Sequence, residues 1–377
     1  MIYLNNAATS FPKPMEVNVS VIDYLARPPY NYLRNTNHTE DNSESIVTKC
    51  RKNIATLFNI KNYNRIAFTS GATESLNLAI KGISLENAHV ITSVAEHNSV
   101  IRPLKTLEKE GKIEISYLEA DTSGKINLEN INNLIKKNTK AIILNHCSNV
   151  TGSFFEIKEL TLIAKKYNLI TILDVSQSAG NIDIDASDID ILCFTGHKSL
   201  FGLPGIGGIF VNENIDIKPL KTGGTGTKSD YLFQPEIYPI YLEAGTLNLI
   251  GIVSLSAGIE YILRNNLERL KKIKKEYFFH IYKSLKDIPA ISIIGETNLA
   301  NRLPIFAFNI SGLSPDDVSY ILEHSFNIIV RSGLHCAPLI HKYIGTSPDG
   351  CVRASFSHLN TMEEIDNFVK AILQICK

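Results

Sequence analysis

Several side chains that could carry out covalent or acid-base chemistry stand in short polar segments after apolar runs. Lys198 and Cys336 are potential nucleophiles, and Asp174 is a carboxylate at the end of an apolar run. An amine can form a Schiff base with a carbonyl compound, and a thiolate is a strong nucleophile. Each of these residue types also has ordinary structural uses, so the neighbouring sequence has to decide between the two.

Lys198 has the most informative surroundings. It lies in the segment 193–199, Cys-Phe-Thr-Gly-His-Lys-Ser, and the glycine-rich segment 201–208 follows. Glycines on both sides of a lysine indicate that a ligand or another backbone approaches it closely. Together with the hydroxyl of Thr195 and the imidazole of His197, this setting favours Schiff-base chemistry. A solvent-exposed surface lysine is the alternative.

Asp174 ends the apolar run 170–174 and is followed by Val-Ser-Gln, with Gln177 as the last of the three. A carboxylate in this position can pair with a cationic ring nitrogen and keep it protonated, as an electron-sink cofactor requires. An aspartate that caps the next turn is the alternative. The residues alone leave both interpretations open.

A third segment, residues 68–75 with the sequence Phe-Thr-Ser-Gly-Ala-Thr-Glu-Ser, turns through Gly71 directly into a predicted helix. The free backbone amides and the dipole at such a helix start suit a phosphate group. Serine and threonine at a helix start are also common N-caps. The position of this segment in the chain favours the phosphate site.

Two nucleotide-binding motifs are excluded. The segment 223–229 superficially resembles a nucleotide phosphate loop, but Thr227 replaces the glycine that precedes the lysine, and no apolar strand comes immediately before it. No G-x-G-x-x-G motif opens a helix after the first predicted strand, so a dinucleotide-binding fold has no anchor.

The elements that must position these segments follow a βαβ pattern. From about residue 65, short β-rich runs alternate with amphipathic stretches. The predicted strands cover 66–69, 89–92, 141–144, 169–174, 189–194 and 206–211, and the predicted helices cover 73–81, 99–109 and 157–167. Such alternation predicts a largely parallel sheet covered by helices, with ligands at the carboxyl ends of the strands.

The pattern changes after residues 246–248. A long helical stretch is predicted over roughly 250–286, and its lysine-rich run 271–275 is interpreted as a solvated helix face. The elements predicted beyond it are strands at 305–310 and 328–331, and helices at 315–324 and from Glu363.

This change in pattern predicts two domains. We expect a large α/β domain over residues 14–250 and a small α+β domain formed by residues 1–13 and 251–377.

Composition narrows the functional class. The chain has 377 residues, 44% of them hydrophobic, and 38 basic side chains balance 38 acidic ones. No net positive field favours nucleic acid or an acidic membrane, so a small-molecule substrate is expected. The amino terminus has no basic leader, and no apolar run approaches the length of a membrane span. We therefore expect a cytoplasmic location.

The six cysteines show neither disulfide-framework nor zinc-site spacing, so we expect reduced thiols and no metal site.

Taken together, these segments resemble the class V aminotransferase group of pyridoxal-phosphate enzymes, specifically its cysteine desulfurase and selenocysteine lyase branch. The resemblance runs nearly end to end. Its carriers are Leu4–Thr9, Ser70–Glu74, Glu96–Asn98, Ser148–Gly152, Asp174 with Gln177, Thr195–Lys198, Glu243–Thr246, Arg331–Ala337 and Arg353–Ser355. It implies an α/β, fold-type I transferase with a mainly parallel seven-stranded sheet in the large domain.

By this resemblance the cofactor is pyridoxal 5′-phosphate, bound covalently by Lys198, which also moves the Cα proton of the substrate. Asp174 is expected at the pyridinium nitrogen, Gln177 at the phenolic oxygen and His97 against the ring face. The remaining expected cofactor contacts are Gly71, Ala72, Thr73, Asn149, Thr195 and His197. In this family a Gly-Thr pair of the facing subunit completes the phosphate site, so Thr246 implies a homodimer with composite active sites.

The resemblance also implies the substrate contacts. Asn149 and Arg353 correspond to the partners of the substrate carboxylate, which a guanidinium can bind through two parallel hydrogen bonds. Arg331 is expected to assist, and His38 is expected near the site.

Cys336 is expected to attack the sulfur of L-cysteine, which gives a Cys336 persulfide and alanine. Its short loop, next to His335 and near two arginines, favours the thiolate. If Cys336 did not lie in the matching segment Arg331–Ala337, an inert cysteine would be the better interpretation. The short segment 337–339 after Cys336 implies dependence on an external sulfur-acceptor protein.

Three positions depart from the usual family pattern: Thr195 replaces serine, Leu334 replaces the first histidine of His-His-Cys, and Leu247 replaces proline. Two other functions stay open. One is selenocysteine lyase or another reaction of this family on a small amino acid, because the same lysine, aspartate and arginine serve all of these. The other is a catalytically idle homologue that acts as a binding partner.

Overall fold

The computed structural model describes residues 1–26, 45–296 and 298–377. The strands are β1 (Ile2–Tyr3), β2 (Ile66–Thr69), β3 (Ala88–Ser93), β4 (Ile113–Leu118), β5 (Thr139–Asn145), β6 (Ile170–Asp174), β7 (Ile191–Thr195), β8 (Gly207–Val211), β9 (Ile291–Ile294), β10 (Ile305–Ile310), β11 (Ile328–Ile329) and β12 (Val352–Ser355). The α-helices are α1 (Met15–Leu25), α2 (Ile46–Leu57), α3 (Ala72–Gly82), α4 (Asn98–Lys109), α5 (Ile131–Leu134), α6 (Ile157–Tyr167), α7 (Leu249–Asn265), α8 (Leu267–Leu285), α9 (Pro315–Phe326), α10 (Ile340–Tyr343) and α11 (Met362–Ile375). Short 3₁₀ helices cover Tyr63–Arg65, Leu128–Asn130 and Ile240–Leu242.

The largest sheet has seven strands in the order β2-β8-β7-β6-β5-β3-β4. Six of them run in one direction, and β8 is antiparallel to both of its neighbours, β2 and β7. The central strands β6 and β7 are almost entirely buried, as expected where helices cover both faces of a sheet. The predicted mainly parallel, seven-stranded α/β sheet is therefore confirmed.

The three chemically informative segments follow strands of this sheet that run in the same direction. β2 ends at Thr69, two residues before Gly71; β6 ends at Asp174; and β7 ends at Thr195, three residues before Lys198. Because these strands share one direction, their carboxyl ends lie at the same edge of the sheet. The fold thus brings the three segments together.

The turn after β2 is packed closely against the start of β8. Gly71 has φ 151° and ψ 176°, a region that is essentially restricted to glycine. A Cβ atom on Gly207 would lie 2.6 Å from the Cα of Gly71 and 2.6 Å from the carbonyl oxygen of Phe194. Glycine at position 207 therefore allows the turn to close onto the sheet.

A second, antiparallel sheet has the order β12-β10-β9, and β1 pairs in parallel with β11. Their side chains pack with residues of α8, α9 and α11 in a core that includes Phe306, Phe308 and Phe368. The buried side chains of α7, such as Leu255, instead belong to the core of the large sheet. The domain boundary near residue 250 stays a prediction.

The long helical stretch predicted over roughly 250–286 consists of two consecutive helices. α7 ends at Asn265 and α8 begins at Leu267, with Asn266 between them at φ 58°. Asparagine tolerates a positive φ better than most residues. Its side chain also accepts a hydrogen bond from the backbone N–H of Glu268, which caps the second helix.

The interpretation of the lysine run 271–275 as a solvated face is wrong for Lys274, which is buried. Its Nζ donates to Oδ1 of Asn181. The helical period explains this, because Lys274 shares a face with the buried side chains of Leu270, Tyr277 and Phe278. None of the helices in the described residues is both long and apolar enough to cross a membrane.

We predict that Gly207→Ala lowers the free energy of unfolding by about 2 kcal/mol, because the added methyl group forces two backbone segments apart. Urea denaturation followed by circular dichroism measures the change. Gly224→Ala is the matched control, since a Cβ there would meet no atom within 4 Å, and it should stay within about 0.5 kcal/mol of the wild type. Equal stability of the two variants would refute the close packing.

Candidate active site

A cavity of about 340 Å³ lies at the carboxyl edge of the large sheet. Most of the residues proposed from the sequence line it. These are Gly71, Ala72, Thr73, His97, Asn149, Asp174, Gln177, Thr195, His197, Lys198, Arg331 and Arg353. Cys336 adjoins the cavity through its contact with Arg331. Thr246 is exposed and does not line it, and His38 lies outside the described residues.

Lys198 projects from a turn that begins where β7 ends and folds back on itself. The N–H of Gly196 donates to the carbonyl oxygen of Ile206, and the N–H of Gly202 donates to that of Gly196, both at 2.8 Å. Burial lowers the pKa of Lys198 to about 8, although the negative charge of Asp174 opposes this shift. A substantial fraction of the side chain is therefore the neutral, nucleophilic amine near pH 8.

Asp174 both caps a turn and keeps an oxygen available. Its Oδ1 accepts hydrogen bonds from the N–H of Ser176, at 2.9 Å, and from the Ser176 hydroxyl. No side chain or backbone group in the described residues donates to Oδ2. The two interpretations left open by the sequence are therefore compatible with each other.

The start of α3 leaves two backbone amides without acceptors. The N–H groups of Glu74 and Ser75 donate to the carbonyl oxygen of Gly71, whereas those of Ala72 and Thr73 donate to no atom of the described residues. The cap residue is Gly71, so no serine or threonine side chain caps this helix. Such an uncapped helix start facing a cavity suits a phosphate group.

The imidazole of His97 is held in one orientation at the start of α4. Its Nδ1 accepts from the N–H of Ser99 at 3.1 Å, so the proton of the neutral ring is on Nε2. Burial, assisted by the positive charge of Lys198, lowers the pKa of His97 to about 4. The ring is therefore neutral at pH 7.

Ser99 also links His97 to the phosphate turn. Its hydroxyl lies 2.8 Å from Nδ1 of His97 and 2.8 Å from Oγ1 of Thr73. Sequence reasoning missed this residue. A serine two positions after a helix-capping histidine was the available signal, because the first amides of a helix commonly bond to the cap side chain.

Arg353 is a buried cation without an acidic partner in the described residues. Its Nη1 donates to the carbonyl oxygen of Asn149 at 2.8 Å, and its Nη2 lies 3.4 Å from Oδ1 of Asn5. Nε of Arg353 has no partner there, and burial lowers the pKa of the guanidinium to about 10. A buried charge that lacks a counter-ion is costly, so an anionic ligand would be favoured beside it.

Asn149 offers the opposite kind of group. Its Nδ2 donates to the carbonyl oxygen of His335 at 2.6 Å, which leaves the buried Oδ1 as an acceptor without a partner in the described residues. An acceptor suits a ligand N–H or O–H rather than a carboxylate. Nδ2 makes only the bond to His335 within the described residues, so its second N–H can still donate to a carboxylate beside Arg353.

Cys336 lies in a strained turn that is anchored at two points. His335 and Cys336 have φ values of 50° and 59°, a conformation that costs energy for residues other than glycine. The N–H of Asn98 donates to the carbonyl oxygen of Cys336 at 2.7 Å, and Asn149 bonds to that of His335. Such strain is typical of functional sites, where surrounding contacts maintain it.

The cation beside the Cys336 sulfur is Arg331, not His335. Nη2 of Arg331 lies 3.3 Å from Sγ of Cys336. The ring of His335 instead donates from Nε2 to the carbonyl oxygen of Cys351 at 2.9 Å, and burial holds the pKa of His335 far below its usual range. The sequence-based expectation that His335 supports the thiolate is therefore wrong, because the ring is buried and neutral.

Glu96 is a further buried residue that sequence reasoning did not assign. It accepts hydrogen bonds from the hydroxyl of Ser93 and, at 2.8 Å, from the N–H of Asn145. It thereby joins the carboxyl ends of β3 and β5. The loops that carry His97 and Asn149 begin at these two strand ends.

The chain belongs to the class-V aminotransferase family, whose model matches residues 2–368. The family predicted from the motifs is thus confirmed. A probable cysteine desulfurase from Pyrococcus abyssi is 31% identical over 390 residues, which cover 100% of this chain and 94% of the relative. A cysteine desulfurase from Wigglesworthia glossinidia brevipalpis is 28% identical, and the match covers 100% of this chain and 93% of the relative.

Solved structures show the same similarity. The apo structure of a cysteine desulfurase from Thermococcus onnurineus has a TM-score of 0.92 and 30% identity, with 100% of this chain and 94% of that chain covered. A cysteine desulfurase from Escherichia coli, 24% identical over 99% of this chain and 94% of its own, shares the fold with a TM-score of 0.88. The predicted fold-type I architecture is confirmed.

We predict that the amine of Lys198 in the cofactor-free protein reacts with formaldehyde and cyanoborohydride half-maximally near pH 8. Exposed lysines should reach half-maximal reaction only near about pH 10.4. The neutral amine is the reactive form, so the rate rises with pH through the pKa. Mass spectrometry of the peptide that contains Lys198 measures the reaction.

Asp174→Asn provides the control for this assignment. The carboxylate raises the pKa of Lys198, so its removal should move the curve to lower pH. A midpoint that stays near about 10.4, or that rises in the variant, would contradict the electrostatic description of the cavity.

Proposed function

We propose that this chain is a pyridoxal-phosphate-dependent cysteine desulfurase that converts L-cysteine to L-alanine and forms a persulfide on Cys336. One observation carries the proposal: Arg331 contacts the Cys336 sulfur at 3.3 Å and lines the same cavity as Lys198 and Arg353. An amine and two guanidinium groups thus line one space, and a thiol adjoins it. The family membership and the names of the similar proteins support this assignment.

The residues of the cavity fit pyridoxal phosphate. Oδ2 of Asp174 would hold the ring nitrogen, the amides of Ala72 and Thr73 the phosphate, and the neutral ring of His97 the ring face. Lys198 supplies the amine for the aldehyde. When bound, this cofactor withdraws electrons from the Cα atom of the amino acid that it carries.

Gln177, Thr195 and His197 complete the proposed cofactor contacts. Nε2 of Gln177 donates to the carbonyl oxygen of Ala7 at 3.0 Å, and its second N–H can donate to a phenolic oxygen. Thr195 contributes a hydroxyl at the end of β7, and the buried Nδ1 of His197 has no partner in the described residues. Each of these groups lines the cavity and has hydrogen-bonding capacity to offer.

Lys198 is proposed to act as base and then as acid at Cα. Its pKa of about 8 places it close to the pH at which both protonation states are populated. The neutral amine can remove the Cα proton, and the resulting ammonium can return one. Arg353 would hold the carboxylate of the substrate, and Oδ1 of Asn149 would accept a hydrogen bond from a ligand N–H or O–H.

Cys336 is proposed to take the sulfur. Its thiolate attacks Sγ of L-cysteine, an S–S bond forms, and the Cβ–Sγ bond breaks with its electron pair going to Cβ, where a proton is taken up. The guanidinium of Arg331 stabilises the negative charge on the attacking sulfur. A thiol or a sulfur-acceptor protein then removes the outer sulfur and regenerates Cys336.

We also infer a homodimer with composite active sites. Thr246 lies in the connection between β8 and α7 and is exposed. Two apolar side chains of the same segment are also exposed, Leu232 at 93% accessibility and Phe233 at 74%. Exposed apolar side chains of this kind are typical of an interface. This arrangement supports a second copy that covers the segment and receives Thr246 near its phosphate turn.

The short loop that follows Cys336 supports delivery of sulfur at the cavity itself. α10 begins at Ile340, four residues after Cys336, so the cysteine is not carried on a long extension. This supports an acceptor that comes to the cavity. The six cysteines are free thiols, which supports a reducing, cytoplasmic location.

We predict that Lys198→Ala and Cys336→Ala each lower alanine formation from L-cysteine by at least about 1,000-fold, because each removes a reacting group. Alanine is measured by amino-acid analysis in the presence of a reductant. Cys336→Ala should still bind the cofactor with the absorbance of the wild type, whereas Lys198→Ala should not. Cys376→Ala, a partly buried thiol near the carboxyl terminus, is the matched control and should keep full activity.

Two outcomes would change the assignment. Full activity of Cys336→Ala would remove the thiol from the reaction and reject the persulfide step. A wild type that forms alanine from L-selenocysteine but not from L-cysteine would establish the selenocysteine lyase alternative, in which the thiol of Cys336 is not required.

A further inference from the structure

Lys13 is a partly buried lysine that has no role in the chemistry described above. It lies in the amino-terminal segment, 184 residues before His197, yet its ammonium contacts the turn that carries Lys198. Its Nζ donates to the carbonyl oxygen of Gly202 at 2.7 Å, to that of His197 at 3.1 Å, and to Oγ of Ser10 at 2.8 Å. All three donors of the ammonium therefore have acceptors.

The acceptors of Lys13 lie at the two ends of the turn that contains Lys198. His197 precedes Lys198 directly, and Gly202 closes the turn through its bond to Gly196. The N–H of Phe201 also donates to the carbonyl oxygen of Lys198 at 2.9 Å. The ammonium of Lys13 thus joins the two ends of a backbone loop whose middle carries the reactive amine.

The carbonyl oxygen of His197 receives further donors from the same amino-terminal segment. The N–H of Ser10 lies at 3.0 Å, and the hydroxyls of Ser10 and Thr9 each lie at 3.1 Å. Four potential donors within 3.1 Å fix this carbonyl, and with it the peptide plane that leads into Lys198.

A general structural role for Lys13 in its own helix is not supported. Lys13 immediately precedes Pro14, the N-cap of α1. A cation at a helix amino terminus is unfavourable because the helix dipole is positive there. Burial further lowers the pKa of Lys13 to about 8. The carbonyl acceptors of the turn are therefore what keeps this ammonium in place.

We propose that Lys13 is a positioning residue that fixes the backbone of the turn 197–202 and thereby aims the amine of Lys198 into the cavity. Lys13 does not itself line the cavity, so it does not touch the substrate. Its contacts with the turn are to backbone carbonyl oxygens and not to the side chain of Lys198. Its effect on Lys198 is therefore geometric, and only its kinetic consequence rests on the proposed function.

The first test is hydrogen exchange of the cofactor-free protein, followed by mass spectrometry of the peptide 196–205. Lys13→Met keeps the apolar stem but removes all three donors. We expect the amides of Phe201 and Gly202 to exchange at least about tenfold faster in this variant, because the loop loses the bonds that join its ends. Lys165→Met, which removes an exposed lysine on α6, is the matched control and should exchange like the wild type.

The second test is the rate at which the cofactor-free protein forms its Schiff base with pyridoxal phosphate, followed by absorbance. We expect a decrease of at least about tenfold in Lys13→Met, because a displaced amine attacks less efficiently. Lys13→Arg retains donors and should recover part of the rate. In the holoenzyme, kcat should fall by at least about tenfold while KM for L-cysteine stays within about twofold, since Arg353 is unaffected.

Unchanged exchange and an unchanged rate of Schiff-base formation in Lys13→Met would overturn the proposal. If that variant does not fold, Ser10→Ala replaces it, because it removes one acceptor of Lys13 and one donor to His197 and should shift both measurements in the same direction. Hydrogen exchange and Schiff-base formation are measured without substrate, so they test the role of Lys13 even if L-cysteine is not desulfurated. If neither measurement changes in Lys13→Met while the wild type forms alanine normally, only the role of Lys13 is rejected.

Discussion

A buried guanidinium without an acidic partner in the described residues is the constraint around which this cavity is arranged. Arg353, Arg331 and Lys198 place three basic groups beside one space. Of the two lining acids, Glu74 pairs with Lys221, and Asp174 forms no salt bridge with a lysine or arginine of the described residues. Burying such charge is unfavourable unless a ligand compensates it. The free amides at the start of α3 add a second region of positive potential. The cavity is therefore suited to a ligand pair with two anionic groups, a phosphate and a carboxylate.

The amino-terminal segment connects the parts of this cavity. Asn5 contacts Arg353, the carbonyl oxygen of Ala7 accepts from Gln177, and Lys13 holds the turn of Lys198. The segment enters through β1, which pairs with β11 close to Arg331. One short stretch of chain thus contacts both the large sheet, which supplies the amine and the carboxylate, and the smaller sheets, which supply the guanidinium groups and the thiol.

The sequence predicted the elements whose pattern is local. Central strands of the large sheet, such as β6 and β7, are continuous apolar runs because both of their faces are buried. The edge strand β4 was missed because it is only partly buried and its side chains do not form such a run. The burial of Lys274, the neutral state of His335 and the role inferred for Lys13 could not be predicted, because each depends on contacts between residues far apart in sequence. The motifs indicated which residues meet, but not which atoms are left without partners.

The most direct test of this account is the effect of Arg353→Gln on the recognition of the substrate carboxylate. In the holoenzyme, KM for L-cysteine should rise by about 10- to 100-fold, the loss expected for hydrogen bonds to a charged group. The inhibition constant of cysteamine, which has the same amine and thiol but no carboxylate, should stay within about twofold. Equal losses for both compounds, or no loss for L-cysteine, would contradict the assignment of the buried guanidinium to the carboxylate.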